Sequence, residues 1–155
     1  MIIQNKNKGT YILILRLTQD RCLQIGKLGN HVFSSGHYGY VGSAFGPGGL
    51  NARLQHHLRK SSRPRWHIDY LRKEATVLQA WYSDEIKRME HEWASVLASM
   101  PGVITFVKGF GSTDCNCRSH LFLFDQPASA SFFQKFANRS NRLNRKVKLK
   151  SINFE

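Results

Sequence analysis

No apolar run in this 155-residue chain is long enough to cross a bilayer; the most apolar stretch, YILILRL, is short and carries Arg16. The opening residues, MIIQNKNKG, lack the basic end, long apolar stretch and small-residue cleavage site of a secretion signal. Cysteine is scarce. Its three residues, two of them in CNC, make no disulfide framework and fit a reducing compartment, so the expected location is the cytoplasm. Acidic residues are few as well: ten Asp and Glu against twenty-three Lys and Arg leave a formal charge of +13. Such a field draws polyanions, and nucleic acid is the commonest polyanion in a cell. An acidic membrane surface competes for that role. The aromatic residues argue against it, because they fall within apparent strands and helices and form no face of a basic amphipathic helix.

What is present suffices for one core. With 41% hydrophobic residues and no internal repeat, the chain reads as one soluble domain. GTYILILRL predicts a strand over residues 10–17, and the Gly-, Asn- and Ser-broken stretch after it predicts the rest of a three-stranded meander. Leu50, Leu54 and Leu58 draw one stripe down a first helix. RPRWHIDYLRKEA suggests a short helical turn, TVLQAWYS a strand, and DEIKRMEHEWASVLASMPG a helix that begins at Asp84 and stops at Pro-Gly. VITFVKGFGSTDCNCRSHLFLFD reads as strand, tight loop and strand, and SASFFQKFANRS as an amphipathic helix. From Arg139 to Lys150 come six basic residues and no acid, which is either an electrostatic tail or the approach to a final strand, KVKLKSINF.

GYVGSAFGPGGLNARLQHH, residues 39–57, holds five glycines ahead of an Arg and two His. Gly42, Gly46, Gly48 and Gly49 admit positive φ and a close polymer backbone, Pro47 stiffens the entry at Leu50, and the helix start offers N–H groups to an anion. Arg53 and His57 lie one turn apart on the margin of the leucine stripe, with His56 about 100° away from His57. By themselves they read as solvated residues of a basic helix. Glu90 is different. On the later helix it falls on the face shared by Ile86, Met89, Trp93, Val96, Leu97 and Met100, whereas Glu92 falls at the edge. A carboxylate in an apolar stripe needs a cation or hydrogen bonds, so Glu90 is the expected metal ligand, with a buried salt bridge to Arg as the alternative.

Gly9-Thr10-Tyr11, Tyr40-Val41-Gly42, and the Arg53 and His57 that follow resemble the GIY-YIG nuclease superfamily. GTYILIL, GYVGSAFGPGGLNARLQHHLR, WHIDYL and GFGSTDCNCRSHLF together resemble its DUF123 branch over about residues 8–125. The spacing from Tyr11 to Tyr40 exceeds the short hairpin usual in the superfamily, and Ser43 stands where some members have Lys. The resemblance implies an α+β fold, a small antiparallel, mostly three-stranded sheet flanked by helices, here with extra strands and a basic C-terminal segment. It implies a nuclease domain over residues 1–127, with residues 128–155 as a helix and tail packed on or trailing it. It also implies a metal-dependent endonuclease cutting phosphodiester bonds in DNA rather than RNA, on branched, damaged or single-stranded forms. Catalysis falls to Tyr11, Tyr40, Arg53, His57 and Glu90, the last holding Mg²⁺ or Mn²⁺. One tyrosine acts as base and the other orients water or phosphate. Spacing does not distinguish them, and Tyr11 is assigned the base. A binding module that keeps the fold without cleaving is the alternative.

Arg59, Lys60, Arg63, Arg65, Arg142 and Arg145 are expected on phosphates, with Trp66 in the core or stacked on a base. Cys115, Cys117 and His120, joined by His67, offer soft ligands to zinc. Paired zinc cysteines ordinarily have two or more residues between them, whereas Cys-x-Cys has one, so reduced free thiols are the primary expectation here.

Overall fold

A computed structural model describes residues 6–140 and 146–154. At its centre, β1 (Gly9–Leu17) pairs antiparallel with β4 (Gly36–Ala44) on one side and β5 (Thr76–Ser83) on the other. Its side chains alternate between two cores. Tyr11, Leu13, Leu15 and Leu17 face one cluster, and Ile12 and Ile14 face the other. Both faces are therefore covered, which is why the strand reads as a nearly unbroken apolar run.

Further strands extend the sheet in both directions. β6 (Val103–Phe106) and β7 (Leu121–Phe124) lie beyond β4, and β8 (Lys150–Asn153) lies beyond β5. The result is six-stranded, in the order β6-β7-β4-β1-β5-β8, and this corrects the expected small, mostly three-stranded sheet. The expected meander is also absent. β2 (Arg21–Gln24) and β3 (Asn30–Phe33) pair only with each other, because their faces are largely polar and only Phe33 of the eight residues is buried. This separate hairpin, joined by a 3₁₀ turn at Gly26–Leu28, fills the long spacing between Tyr11 and Tyr40.

α1 (Gly49–Leu58) and α2 (His67–Arg72) contribute Leu50, Leu54, Ile68 and Leu71 to the first core. α3 (Glu90–Ser99) and α4 (Ala130–Arg139) contribute Trp93, Val96, Leu97 and Phe133 to the second. α3 starts six residues later than the sequence predicts. Met89 gives its N–H to Thr10 Oγ1 at 3.1 Å, so the helix begins where β1 receives it, and Ile86, assigned to the apolar face, is 84% exposed. The end of the chain is a strand: Ile152 pairs opposite Ala80, and Val147 is buried in the second core. Among the described residues, no helix is long and apolar enough to cross a membrane.

Candidate functional site

The register of β1 on β4 places Tyr11 opposite Gly42 and Tyr40 opposite Leu13, with both phenols on the α1 side. Tyr11 lies across Gly42, where a Cβ would overlap its ring and hydroxyl. Gly42 therefore makes room for Tyr11, not for a phosphate backbone as the sequence suggested. Gly48 (φ 83°) and Gly49 (φ 59°) are likewise structural. A Cβ on Gly49 would strike the carbonyls of Lys6 and Asn7, and Leu50 N–H donates to Asn7 O at 2.9 Å. The start of α1 is thus covered by the chain's own backbone, which removes the expected anion site there.

Tyr11 Oη stands 2.6 Å from His57 Nε2. Both groups are buried, Tyr11 at 0% and His57 at 1% exposure, and His57 Nδ1 has no partner. Burial drives the imidazole well below its ordinary pKa, with His56, Arg53 and Arg72 adding in the same direction, so His57 is neutral. Burial also raises the Tyr11 phenol well above its ordinary range, and Tyr40 adds to this while Arg53 opposes it. Tyr40 is raised too, by burial first, again with Arg53 pulling down.

A cleft of about 300 Å³ lies in front of this pair. Tyr40, Arg53 and Glu90 line it, together with Arg88 and Asp114; Tyr11 and His57 stand behind its wall, with the His57 ring edge-on to Tyr40 at 6.0 Å. Of the five expected catalytic residues, three reach the cleft and two form a buried pair that supports them. The sequence assigns water activation to Tyr11 and phosphate or proton contact to His57; both side chains are buried behind the cleft wall, whereas Tyr40 lines the cleft itself. Arg88 and Asp114 were missed. Arg88 sits in the stretch assigned to helix, and Asp114 stands beside the cysteines with no local pattern to mark it.

Arg53 is held by stacking: its guanidinium lies 4.3 Å from the Trp66 ring centroid, and Arg65 lies 4.9 Å from the same ring. WHIDYL is a brace for this region. Asp69 accepts from the Arg65 and Trp66 N–H groups and meets His56 Nε2 at 3.0 Å, while His67 Nδ1 accepts the Gly111 N–H at 2.8 Å. Arg72 closes the other end of α1 by donating to the carbonyls of His57 and Leu58. Trp66 is half-buried under the two guanidiniums, between the core and base-stacking roles weighed for it. Arg59, Lys60, Arg63 and Arg65 are all exposed on the segment between α1 and α2. Arg142 and Arg145 lie outside the described residues.

Glu90 opens α3, where the helix dipole favours a carboxylate. Its side chain is 19% exposed, and its ion-pair neighbour among the described residues is His91 Nε2 at 4.0 Å. The alternative of a buried salt bridge to Arg is not realised there. Glu92 instead approaches Lys87 Nζ at 3.8 Å.

The cysteine segment winds back on itself. Gly109 N–H donates to Arg118 O and His120 N–H to Phe110 O, each at 2.8 Å, so Phe110 is buried while Cys115, Cys117 and His120 converge. The fourth residue of this group is His91 from α3, not His67, which is engaged with Gly111. The ligand atoms of His91, Cys115, Cys117 and His120 all lie within 4.8 Å of one another, a group that could hold a metal ion. Without one, burial first, and Cys115 next, push the Cys117 thiol up to about 12.

No curated protein and no solved structure matches the chain. Residues 10–143 match the family described as a domain of unknown function, DUF123, and the chain belongs to that family.

Proposed function

We propose that the chain is a metal-dependent endonuclease of the GIY-YIG type that hydrolyses phosphodiester bonds in DNA. The observation that carries this reading is the single cleft in which Tyr40, two guanidiniums (Arg53 and Arg88) and two carboxylates (Glu90 and Asp114) meet. The oxygen donors of Glu90 and Asp114 suit a hard cation such as Mg²⁺ or Mn²⁺, and Glu90 has no Arg or Lys ion pair among the described residues to occupy it. A divalent cation bound there would supply positive charge to the phosphate oxygens and favour a nearby phenolate. Arg53, fixed on Trp66, presents a preformed fork to the non-bridging oxygens of the scissile phosphate. Tyr40 reaches the cleft and so becomes the candidate base for the attacking water. Tyr11 and His57 fix its surroundings from behind. The formal +13 supports a polyanionic substrate, with Arg59, Lys60, Arg63 and Arg65 as phosphate contacts.

The test is a cleavage assay over single-stranded, duplex, flapped and branched DNA with Mg²⁺, Mn²⁺ or EDTA. Glu90→Gln and Arg53→Ala should each lower the rate about 10²–10³-fold while the fold and most DNA binding persist, because each removes one stabiliser of developing charge. Tyr40→Phe should slow cleavage more than Tyr11→Phe. The reverse order would return the base to Tyr11. If the parent protein cuts none of these substrates with either ion, the enzyme reading fails and the non-cleaving binding module takes its place.

A further inference from the structure

We propose that His91, Cys115, Cys117 and His120 hold a structural zinc ion that clamps the loop between β6 and β7 to the first turn of α3. Two thiols and two imidazoles are the soft and borderline donors that zinc prefers, and four protein ligands close a tetrahedral site. The distances are already close to those required. With Zn–S near 2.3 Å and Zn–N near 2.0–2.1 Å, the edges of a tetrahedron come to about 3.3–3.8 Å. His91 Nδ1 lies 3.2 Å from Cys117 Sγ, and Cys115 Sγ lies 3.8 Å from His120 Nε2. The remaining pairs lie within 4.8 Å, so closing the tetrahedron takes side-chain shifts of no more than about 1 Å.

The surroundings give a reason for such a clamp. The loop has Phe110 as its one large buried apolar side chain, whereas Thr113, Asp114, Asn116 and Arg118 are exposed. It runs between the 300 Å³ cleft and a second cleft of about 710 Å³, and Cys115 and His91 line both. Little apolar burial holds it there. His120 is 97% buried, yet a thiol at 3.8 Å is the neighbour its Nε2 meets, an uneconomical use of a buried imidazole unless a metal lies between them. The single residue between the cysteines is accommodated because the fourth ligand comes from a different element. His91 also explains a link to the cleft. With Nδ1 turned to Cys117, its Nε2 faces Glu90 Oε1 at 4.0 Å, so the clamp fixes the turn that carries Glu90. Zinc binding itself does not depend on the nuclease reading.

The experiment uses the full chain purified without chelator. Metal analysis should find zinc equimolar with protein, and cobalt exchanged into the site should give the intense visible bands and thiolate charge-transfer absorption of a tetrahedral sulfur site. Thiol titration should detect exposed Cys22 alone until a chelator unmasks Cys115 and Cys117. His91→Ala changes a surface side chain, so it should fold, yet should weaken zinc binding at least about tenfold. Three thiols reactive without chelator, a Cys115–Cys117 disulfide, or octahedral cobalt would each overturn the site. Unchanged zinc affinity in His91→Ala would remove His91 from it.

Discussion

Acid should weaken this protein through His57, and the size of the effect follows from its burial. The imidazole is 1% exposed, its Nδ1 has no partner, and its pKa lies well below the ordinary value. In the unfolded chain the same group titrates near 6.5. Below that pH the unfolded state binds a proton that the folded state refuses, so stability is full above about 6.5 and falls as the pH drops toward the folded pKa. The slope approaches 1.4 kcal/mol per pH unit, and from pH 7 to pH 5 the loss sums to about 2 kcal/mol for this one residue.

Urea unfolding followed by tryptophan fluorescence at pH 7 and pH 5 measures it, provided the transition is two-state. His37 and His67 are also lowered, burial being the largest cause in each, and both push in the same direction. Comparison with His57→Gln cancels them. The amide cannot titrate but can still meet the Tyr11 hydroxyl. The loss between pH 7 and pH 5 should be about 2 kcal/mol smaller in His57→Gln than in the parent. Equal losses in the two proteins would show that His57 is protonated when folded, and the buried Tyr11–His57 pair would not exist as described.

Two further perturbations address the frame around the cleft. Gly42→Ala should destabilise by about 1–3 kcal/mol by thermal or urea unfolding, and part of that should vanish in a Tyr11→Phe background, because the added Cβ meets the Tyr11 hydroxyl and ring. Strict additivity would mean that the glycine serves something other than Tyr11. Deleting residues 146–155 should lower stability by at least about 1.5–3 kcal/mol, the burial of Val147 alone, because it also removes β8 from the edge of β5. A truncated chain as stable as the parent would make this segment a solvated arm.

Local patterns carried much of the architecture. The β-branched and aromatic apolar run of β1, the leucine stripe of α1 and the apolar face of α3 from Met89 to Met100 are intrinsic to short windows, and the structure follows them. What windows do not contain is pairing. RCLQ and NHVF look like strands of the main sheet until both faces of that sheet are covered by helices, which leaves no place for their polar sides. The start of α3 was misplaced for a similar reason. Asp84 has the form of a cap, yet the contact that starts the helix comes from Thr10, distant in sequence.

The candidate site divides along the same line. Tyr40, Arg53 and Glu90 were legible because each stands out locally, as a strand aromatic, a cation on the margin of a stripe and a carboxylate on an apolar face. Depth was not legible. Tyr11 and Tyr40 have the same residue type and strand face, and what separates them is the α1 helix laid over one and the open cleft beside the other. His91 was hidden for a complementary reason: it is exposed on its own helix and gains a partner only when the Cys-x-Cys loop returns to α3. A zinc tetrad split between two elements leaves only three ligands in any one window, and His67, the nearest apparent fourth, is held by Gly111. The same crossing of loop and helix that conceals the cysteine cluster in the sequence brings Asp114 to the cleft that Glu90 faces. A substitution that frees the loop should therefore disturb both the metal-ligating group and the carboxylates beside it.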